Sequence, residues 1–549
     1  MFSVKKLGLV IVCTLLFSSL LAACSSGNKN EKASNSVSSP STEASASESV
    51  EPSEPAKEPI TIKFFDKNKG DPFDDPIAQE IMKRTGVKVE TQQPTGDPKE
   101  KLNLMLASGD LPDIIMFDRS SDILNKYIAG GALIPLDDLI SQFGPDVTEM
   151  YGDILKKTRY TDGKNYYLSN WYGEAKNEAV FGFNMKMDIV KELAPDKANG
   201  DVPFTKDEFE KLLLDFKAKY PKLNGQTAYA LTMDGTNMGA NIGTFKGMFG
   251  LKTYYEVDGK LQFDVQDPKY REMIMFMNKL SRQGLIDPEW ALSKREKWLQ
   301  NIGNANFLGT PGAYWDLGTP NTNLKKAGGE DKQYFQYKVV APGVDPAKTT
   351  YGPTSTLGWD AIGISNKNKH PEETMKFINF LASEEGQTLL MWGMEGVSYE
   401  IKDGKKTPLP GVLDAFKTDW DKTVKETGVR KWTWFVKGGT GPDDTTRDMA
   451  ARYDRGEVDR FAIKTLGDSG WVTDAYDNLG PLGGTPEILI AQKAKDIMDQ
   501  TLTKVINAKT EEEANKNFDK MLADMKAAGS EKVEKIINEH YQERLTLWK

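Results

Sequence analysis

The side chains that usually move protons or attack carbonyls are scarce in this chain: 549 residues include two histidines, His370 and His540, and two cysteines, Cys13 and Cys24. Each histidine stands in a charged stretch at an expected helix terminus, without a metal-binding partner at helical spacing, so neither reads as a proton shuttle or a metal site. No HExxH, GxSxG elbow or Walker-type glycine loop occurs. One catalytic class needs none of these, because glycosidases work with two carboxylates and aromatic platforms, and the chain has 80 acids and 11 tryptophans. The carboxylates are too numerous for any pair to stand out. The expectation is therefore a protein that is not an enzyme, with a glycosidase-like activity as the alternative.

The same residues suit recognition. A sugar ring offers an apolar C–H face and a rim of hydroxyls, which calls for Trp or Tyr against the face and Asp, Glu, Asn or Arg at the rim. Trp171 with Tyr172, Trp315 with Asp316, Trp359 with Asp360, and Trp392 with Glu395 place such groups together, beside glycines. Asp66 and Asp118 stand at the C-terminal ends of expected strands, where open α/β sheets bind ligands. Each has a structural alternative: a strand tryptophan also packs cores, and an aspartate after a strand also caps the next helix. Trp432 and Trp434 in KWTWF alternate on one face of an expected strand and suit either a cleft or a core, whereas Trp290 and Trp298 read as core.

The elements that must hold these residues follow from composition and period. With 39% hydrophobic and 28% charged residues and a mean hydropathy of −0.52, the chain is globular rather than polytopic, and long enough for more than one domain. ITIKFF (60–65) alternates β-formers; DPIAQEIMKRTG (75–86) reads as a helix stopped by Gly86; VKVETQ (87–92) is a second strand and PKEKLNLMLASG (98–109) a second helix. DIIMFD (113–118) is almost wholly apolar, as in a strand covered on both faces, and the βαβαβ order predicts a parallel α/β layer. Far downstream, Pro371 opens an amphipathic helix that a second, at 384–391, follows.

The N-terminus has a different character. Lys5 and Lys6 precede a 15-residue apolar stretch (7–21) that gives way to Leu21-Ala22-Ala23-Cys24. The stretch is short of the roughly 20 residues a spanning helix needs and has the three-part order of a signal peptide. The tetrapeptide resembles the lipobox of bacterial lipoproteins, which implies cleavage after residue 23 and a lipid on Cys24; the alternative is an ordinary signal peptide with an incidental cysteine. Residues 25–59, rich in Ser, Glu, Ala and Pro, hold no aromatic side chain and cannot bury enough apolar surface to fold. As a flexible coil they reach about 30–35 Å, a tether. Without the leader, 80 acids face 69 bases, a net charge of about −11 that disfavours nucleic acid and anionic headgroups and leaves lipid to hold the chain at a membrane.

LASGDLPDIIMFD (106–118), LIPLDDLI (133–140), TDGKNYYLSNWYG (161–173), VFGFNMKM (180–187), DPKYREMIMFMNKLSRQGLIDPEW (267–290), YGPTSTLGWDAIGIS (351–365), GMEGVSYE (393–400) and EKVEKIINEHYQER (531–544) appear in that order. Together they resemble the extracellular solute-binding proteins of ABC importers, in the large carbohydrate-associated group and especially its long LplA-like lipoproteins. The resemblance implies a two-lobed, periplasmic-binding-protein-like α/β fold, each lobe a mixed sheet flanked by helices, with the ligand cleft between lobes. It implies capture of an oligosaccharide at the outer face of the cytoplasmic membrane, permease subunits as partners, and a monomer without cofactor. The alternative is a sensing or adhesion lipoprotein that reports its ligand to a membrane partner. Segments 60–168 and 366–400 are expected to form the N-terminal lobe, 169–365 and 401–549 the C-terminal lobe, with the glycine-punctuated extended stretches GKNYYLSNWYG (163–173) and TLGWDAIGIS (356–365) as crossovers that absorb hinge motion.

Long members of the group carry an Asp/Asn/Gly-rich calcium loop where this chain reads DFKAKYPKLNGQTAYAL (215–231). Only Asn224 and Gly225 correspond to it, and calcium requires six to eight oxygens, so no metal is expected there. Asp196, Asn199 and Asp201 lack ordered spacing and read as a solvated turn.

Overall fold

The strand–helix alternation expected from residue 60 onward is present in the computed structural model, which describes residues 59–548 apart from 69, 174–180, 224, 483 and 484. The signal peptide, the Cys24 attachment point and nearly all of the tether lie outside the described residues.

β1 (Ile60–Phe65), α1 (Pro76–Thr85), β2 (Val87–Gln92), α2 (Pro98–Ser108) and β3 (Ile114–Asp118) follow one another. Asp75 and Asp97 cap the two helices by accepting the N–H of Ala78 and Lys99, a proline presets φ in each first turn, and Gly86 and Gly109 close them at φ 68° and 70°. β1 pairs in parallel with β2 and β3. The apolar run of β3 has a simple cause: Ile114 and Met116 enter one core while Ile115 and Phe117 enter another on the opposite face.

After β4 (Leu168–Asn170), the chain builds a second sheet from β5 (Phe181–Lys186), β6 (Tyr229–Leu231), β7 (Phe307–Ala313) and β8 (Tyr334–Tyr337), in the order β8-β5-β7-β6. β9 (Asp360–Ile364) then returns antiparallel between β3 and β4, so the first sheet runs β2-β1-β3-β9-β4. α3 (Pro371–Ala382) and α4 (Glu384–Met391) follow as expected and lay Met375, Phe377, Ile378 and Leu390 on the first sheet. The hairpin β10 (Tyr399–Lys402) and β11 (Lys405–Pro408) comes next, and the chain closes in α5 (Ser530–Leu547).

Each sheet has its own apolar core. Phe64, Met116, Ile362 and Trp392 belong to the first, and Phe183, Leu231, Leu308 and Phe335 to the second. Phe416, Val424, Trp432, Trp434 and Met449 also pack in the first core, a difference from the expectation that put 401–549 with the second lobe. The cause is local: the Trp432 and Trp434 indoles donate to Asp75 (2.6 Å) and Asp66 (2.7 Å) beside β1. KWTWF is not a strand but a turn, with Phe435 at φ 57°. Ala494, Leu502, Val505 and Phe518 of the C-terminal helices join the second core. Among the described residues no helix is long and apolar enough to cross a membrane.

Candidate functional site

The chain crosses between the sheets at the end of β4 and again just before β9, and at both places the backbone throws a tryptophan outward. Asn170 organises the first. Its buried Oδ1 accepts the N–H of Trp171 (3.0 Å) and Val436 (2.9 Å), and its Nδ2 donates to Asp360 (3.3 Å). Trp171 is thereby held at φ 57°, a left-handed conformation uncommon for a bulky residue. At the second crossing Gly358 has φ 83°, and a Cβ there would meet the Asn170 carbonyl oxygen at 2.3 Å, so glycine is required. Trp359 then donates its N–H to the same carbonyl (3.0 Å) and is left 61% exposed.

The second sheet answers from the other side. β7 ends at Ala313 and a single 3-10 turn, Tyr314–Leu317, places Trp315 with 56% exposure and its ring edge-on to Tyr314 at 5.2 Å. Trp171, Trp359, Tyr314 and Trp315 line one cavity of about 500 Å³ together with Arg430 and Asp448, a size usual for small-molecule sites. Arg430 was missed in the sequence. Its guanidinium lies between the Trp171 and Trp420 rings (5.2 and 5.0 Å), and its Nε donates to both Asp448 oxygens (3.0 and 2.9 Å). Among the described residues its two Nη groups have no hydrogen-bond partner, which leaves a donor fork beside an aromatic face. The available signal was the arginine directly before KWTWF.

The other predicted residues divide sharply. Tyr172 and Trp392 are corrections, because both are buried: Tyr172 stacks on Tyr151 at 3.8 Å, and the Trp392 indole donates to the Thr446 carbonyl at 2.9 Å. Asp66 is buried and neither caps a helix nor faces the cavity; besides Trp434 it accepts the Asn68 N–H at 2.8 Å. Asp118 and Asp360 are register partners that share Lys67, with Asp360 at 2.8 Å. Burial opposes the charge on Lys67, but the two carboxylates outweigh it and raise its pKa above the ordinary lysine value. Asp316 pairs with Arg295 (2.6 Å) next to Trp315 rather than lining the cavity, and Glu395 is exposed on the turn before β10, away from it.

Behind the cavity, buried Arg119 follows β3 and ties the crossing to the C-terminal region. It donates to the Gly358 carbonyl (2.8 Å), Ser355 (3.0 Å) and Asp477 (2.7 Å). Among the described residues no group of three or more His, Cys, Asp or Glu is placed to hold a metal ion; Asn224 lies outside them.

This geometry has clear relatives. The fructooligosaccharide ABC transporter substrate-binding protein FusA of Streptococcus pneumoniae is 27% identical over 359 residues, covering 62% of this chain and 64% of FusA. Lipoprotein LipO of Bacillus subtilis is 25% identical over 351 residues, covering 61% and 66%. The match thus spans just under two thirds of each relative's length. Among solved structures, an extracellular solute-binding protein from Bifidobacterium longum subsp. infantis superposes with a TM-score of 0.66 at 17% identity, covering 88% of this chain and 98% of that one. The alginate-binding protein AlgQ2 gives 0.65 at 20% identity, with coverage of 88% and 98%. These likenesses establish the two-lobed periplasmic-binding-protein-like α/β fold. The profile of the family described as "Bacterial extracellular solute-binding protein" matches residues 66–388, from the end of β1 through both sheets and back to α4. With more than half of its length matched, including both crossings that carry the cavity tryptophans, this chain belongs to the bacterial extracellular solute-binding protein family.

Proposed function

We propose that this protein captures an oligosaccharide in the cavity between its two lobes, closes around it without chemical change, and hands it to the permease subunits of an ABC importer. One observation carries the reading: aromatic faces from both lobes, Trp171 and Trp359 on one side and Tyr314 and Trp315 on the other, converge on a single cavity beside the Arg430 guanidinium. Ligand shifts an open–closed equilibrium only through its differential affinity for the two states, so contacts from both lobes are what closure needs. The names of relatives support a sugar: FusA is a fructooligosaccharide-binding protein, and a second relative from Streptococcus mutans is a multiple sugar-binding protein.

In this reading Cys24 carries the lipid that anchors a monomer outside the cytoplasmic membrane, and the N-terminal lobe is built from 60–171, 359–400 and 412–449, which include the first-sheet strands β4 and β9 with Trp171 and Trp359 beside them. A thermal-shift screen against oligosaccharides tests it. A specific ligand at 100 times its Kd adds about 2.7 kcal/mol, and that gain is expected to shrink in Trp359→Ala and Trp315→Ala. Unchanged affinity in both variants sinks the cavity as the binding site.

A further inference from the structure

A second cavity adjoins the first. It measures about 410 Å³, lies along the β10–β11 hairpin, and has Arg452 in common with the lining of the inter-lobe cavity. Its lining sets Lys402, Lys405, Lys406 and Arg452 against Asp403 and Asp444; Asp444 stands 3.9 Å from Lys405, and a further acid, Asp443, pairs with Lys406 at 2.9 Å, so the four cations exceed the three acids by one. In a chain of formal net charge −9, such a cationic surplus is a local departure. Tyr453 lines the same space, 41% exposed, and its ring meets buried Trp392 at 90° with centroids 5.6 Å apart. Trp392 is itself fixed by the Thr446 carbonyl, so the tyrosine is a rigid aromatic face rather than a mobile surface side chain.

An aromatic face ringed by ammonium groups, opening beside the mouth of a sugar-sized cavity, has a defined complement. We propose that this cavity is an outer subsite that takes a carboxylate-bearing sugar unit of the oligosaccharide whose other units occupy the inter-lobe cavity; the inference rests on the saccharide reading above. The ring of that unit lies against Tyr453 while its carboxylate meets Lys402, Lys405 and Arg452. A neutral unit gains only the stacking. Lysine acts here as a compact point charge on a flexible stem, so the preference for the acidic unit is sensitive to salt.

The test is a solution-binding comparison, by calorimetry, of neutral and uronate-bearing oligosaccharides of matched length, with binding partners first picked from a glycan array built of those two sets. Uronate-bearing chains are expected to bind more tightly, with the margin lost at about 1 M salt, where the Debye length is about 3 Å. Exposed ion pairs contribute roughly twofold to fivefold each, so the double variant Lys402→Glu/Lys405→Glu is expected to lower uronate affinity by about tenfold. Tyr453→Leu, which keeps apolar cover over Trp392, is expected to weaken chains long enough to reach the outer cavity and spare shorter ones. Both variants replace exposed side chains, and their melting temperatures check that the fold is intact. Equal binding of the two sets, or variants that leave the uronate preference unchanged, overturns the outer subsite while the inter-lobe site stands. Binding to neither set overturns the saccharide reading and the outer subsite with it.

Discussion

Two sets of three tryptophans occupy this molecule in opposite ways. Trp392, Trp432 and Trp434 are buried, and each indole N–H finds an acceptor: the Thr446 carbonyl at 2.9 Å, Asp75 at 2.6 Å and Asp66 at 2.7 Å. Trp171, Trp315 and Trp359 border the inter-lobe cavity, and among the described residues no hydrogen bond is made by their indoles. The difference is physical. An indole withdrawn from water must have its N–H satisfied or lose the desolvation energy of that group, whereas one facing a cavity leaves the N–H to solvent or ligand. Within these two sets, then, an intramolecular acceptor goes with packing in the core and its absence with a face on the cavity.

The sharpest way to break this contrast is to truncate one member of each set. Trp434 packs on Phe64 at 4.3 Å and holds Asp66, so Trp434→Ala is expected to cost about 3–5 kcal/mol in urea unfolding, the range for large aromatic deletions in cores. Trp359→Ala should leave unfolding within about 0.5 kcal/mol, since its ring is mostly in water, yet remove roughly 2 kcal/mol of ligand binding, about thirtyfold in Kd. If Trp359→Ala unfolds the protein as Trp434→Ala does, the two sets are not different in kind.

How far this division was legible in the sequence depends on what kind of constraint acts. The βαβαβ start was readable because Asp75, Gly86, Asp97 and Gly109 are local punctuation and β3 is apolar throughout. Trp171 and Trp359 are placed by the expectation that crossings look into a cleft, and Trp315 by its position at the tip of an apolar strand beside Asp316 and a glycine; all three line the cavity. Tyr172, one residue after Trp171, is fully buried and stacked on Tyr151 instead of lining the cavity, a placement set by tertiary packing that the dipeptide does not show. Arg430 and Asp448 are 18 residues apart and meet only through tertiary packing, and Asp66 looked like a site residue because its partner Trp434 is 368 residues away.

A smaller effect probes the backbone that sets the exposed class. Gly358→Ala places a methyl against the Asn170 carbonyl at a φ of 83°, and a residue held in that region costs about 1–3 kcal/mol. Part of that cost is expected as weaker ligand binding, because relief of the clash moves Trp359 and the Arg119 anchor on the Gly358 carbonyl together. Calorimetry on the folded variant separates the two, and a pure stability loss with wild-type Kd means that the crossing does not position Trp359 for binding.

The smallest expected effect concerns the acids first read as ligands. Asp118 and Asp360 hold Lys67 charged, with its pKa above the ordinary lysine value despite burial. A group whose folded pKa is raised contributes stability in full below its unfolded pKa, near 10.5, and loses that contribution as pH rises through the folded value. The Lys67 contribution is accordingly flat across neutral pH and falls only in the alkaline range, with a slope of at most about 1.4 kcal/mol per pH unit for one proton. Buried tyrosines titrate in the same direction there, so the informative quantity is the difference between the wild-type and Lys67→Met stability curves, in which the tyrosines cancel. That difference should be constant from neutral pH to about pH 10 and narrow above it. If it instead stays constant through the alkaline range, the two carboxylates do not stabilise the protein by holding Lys67 charged.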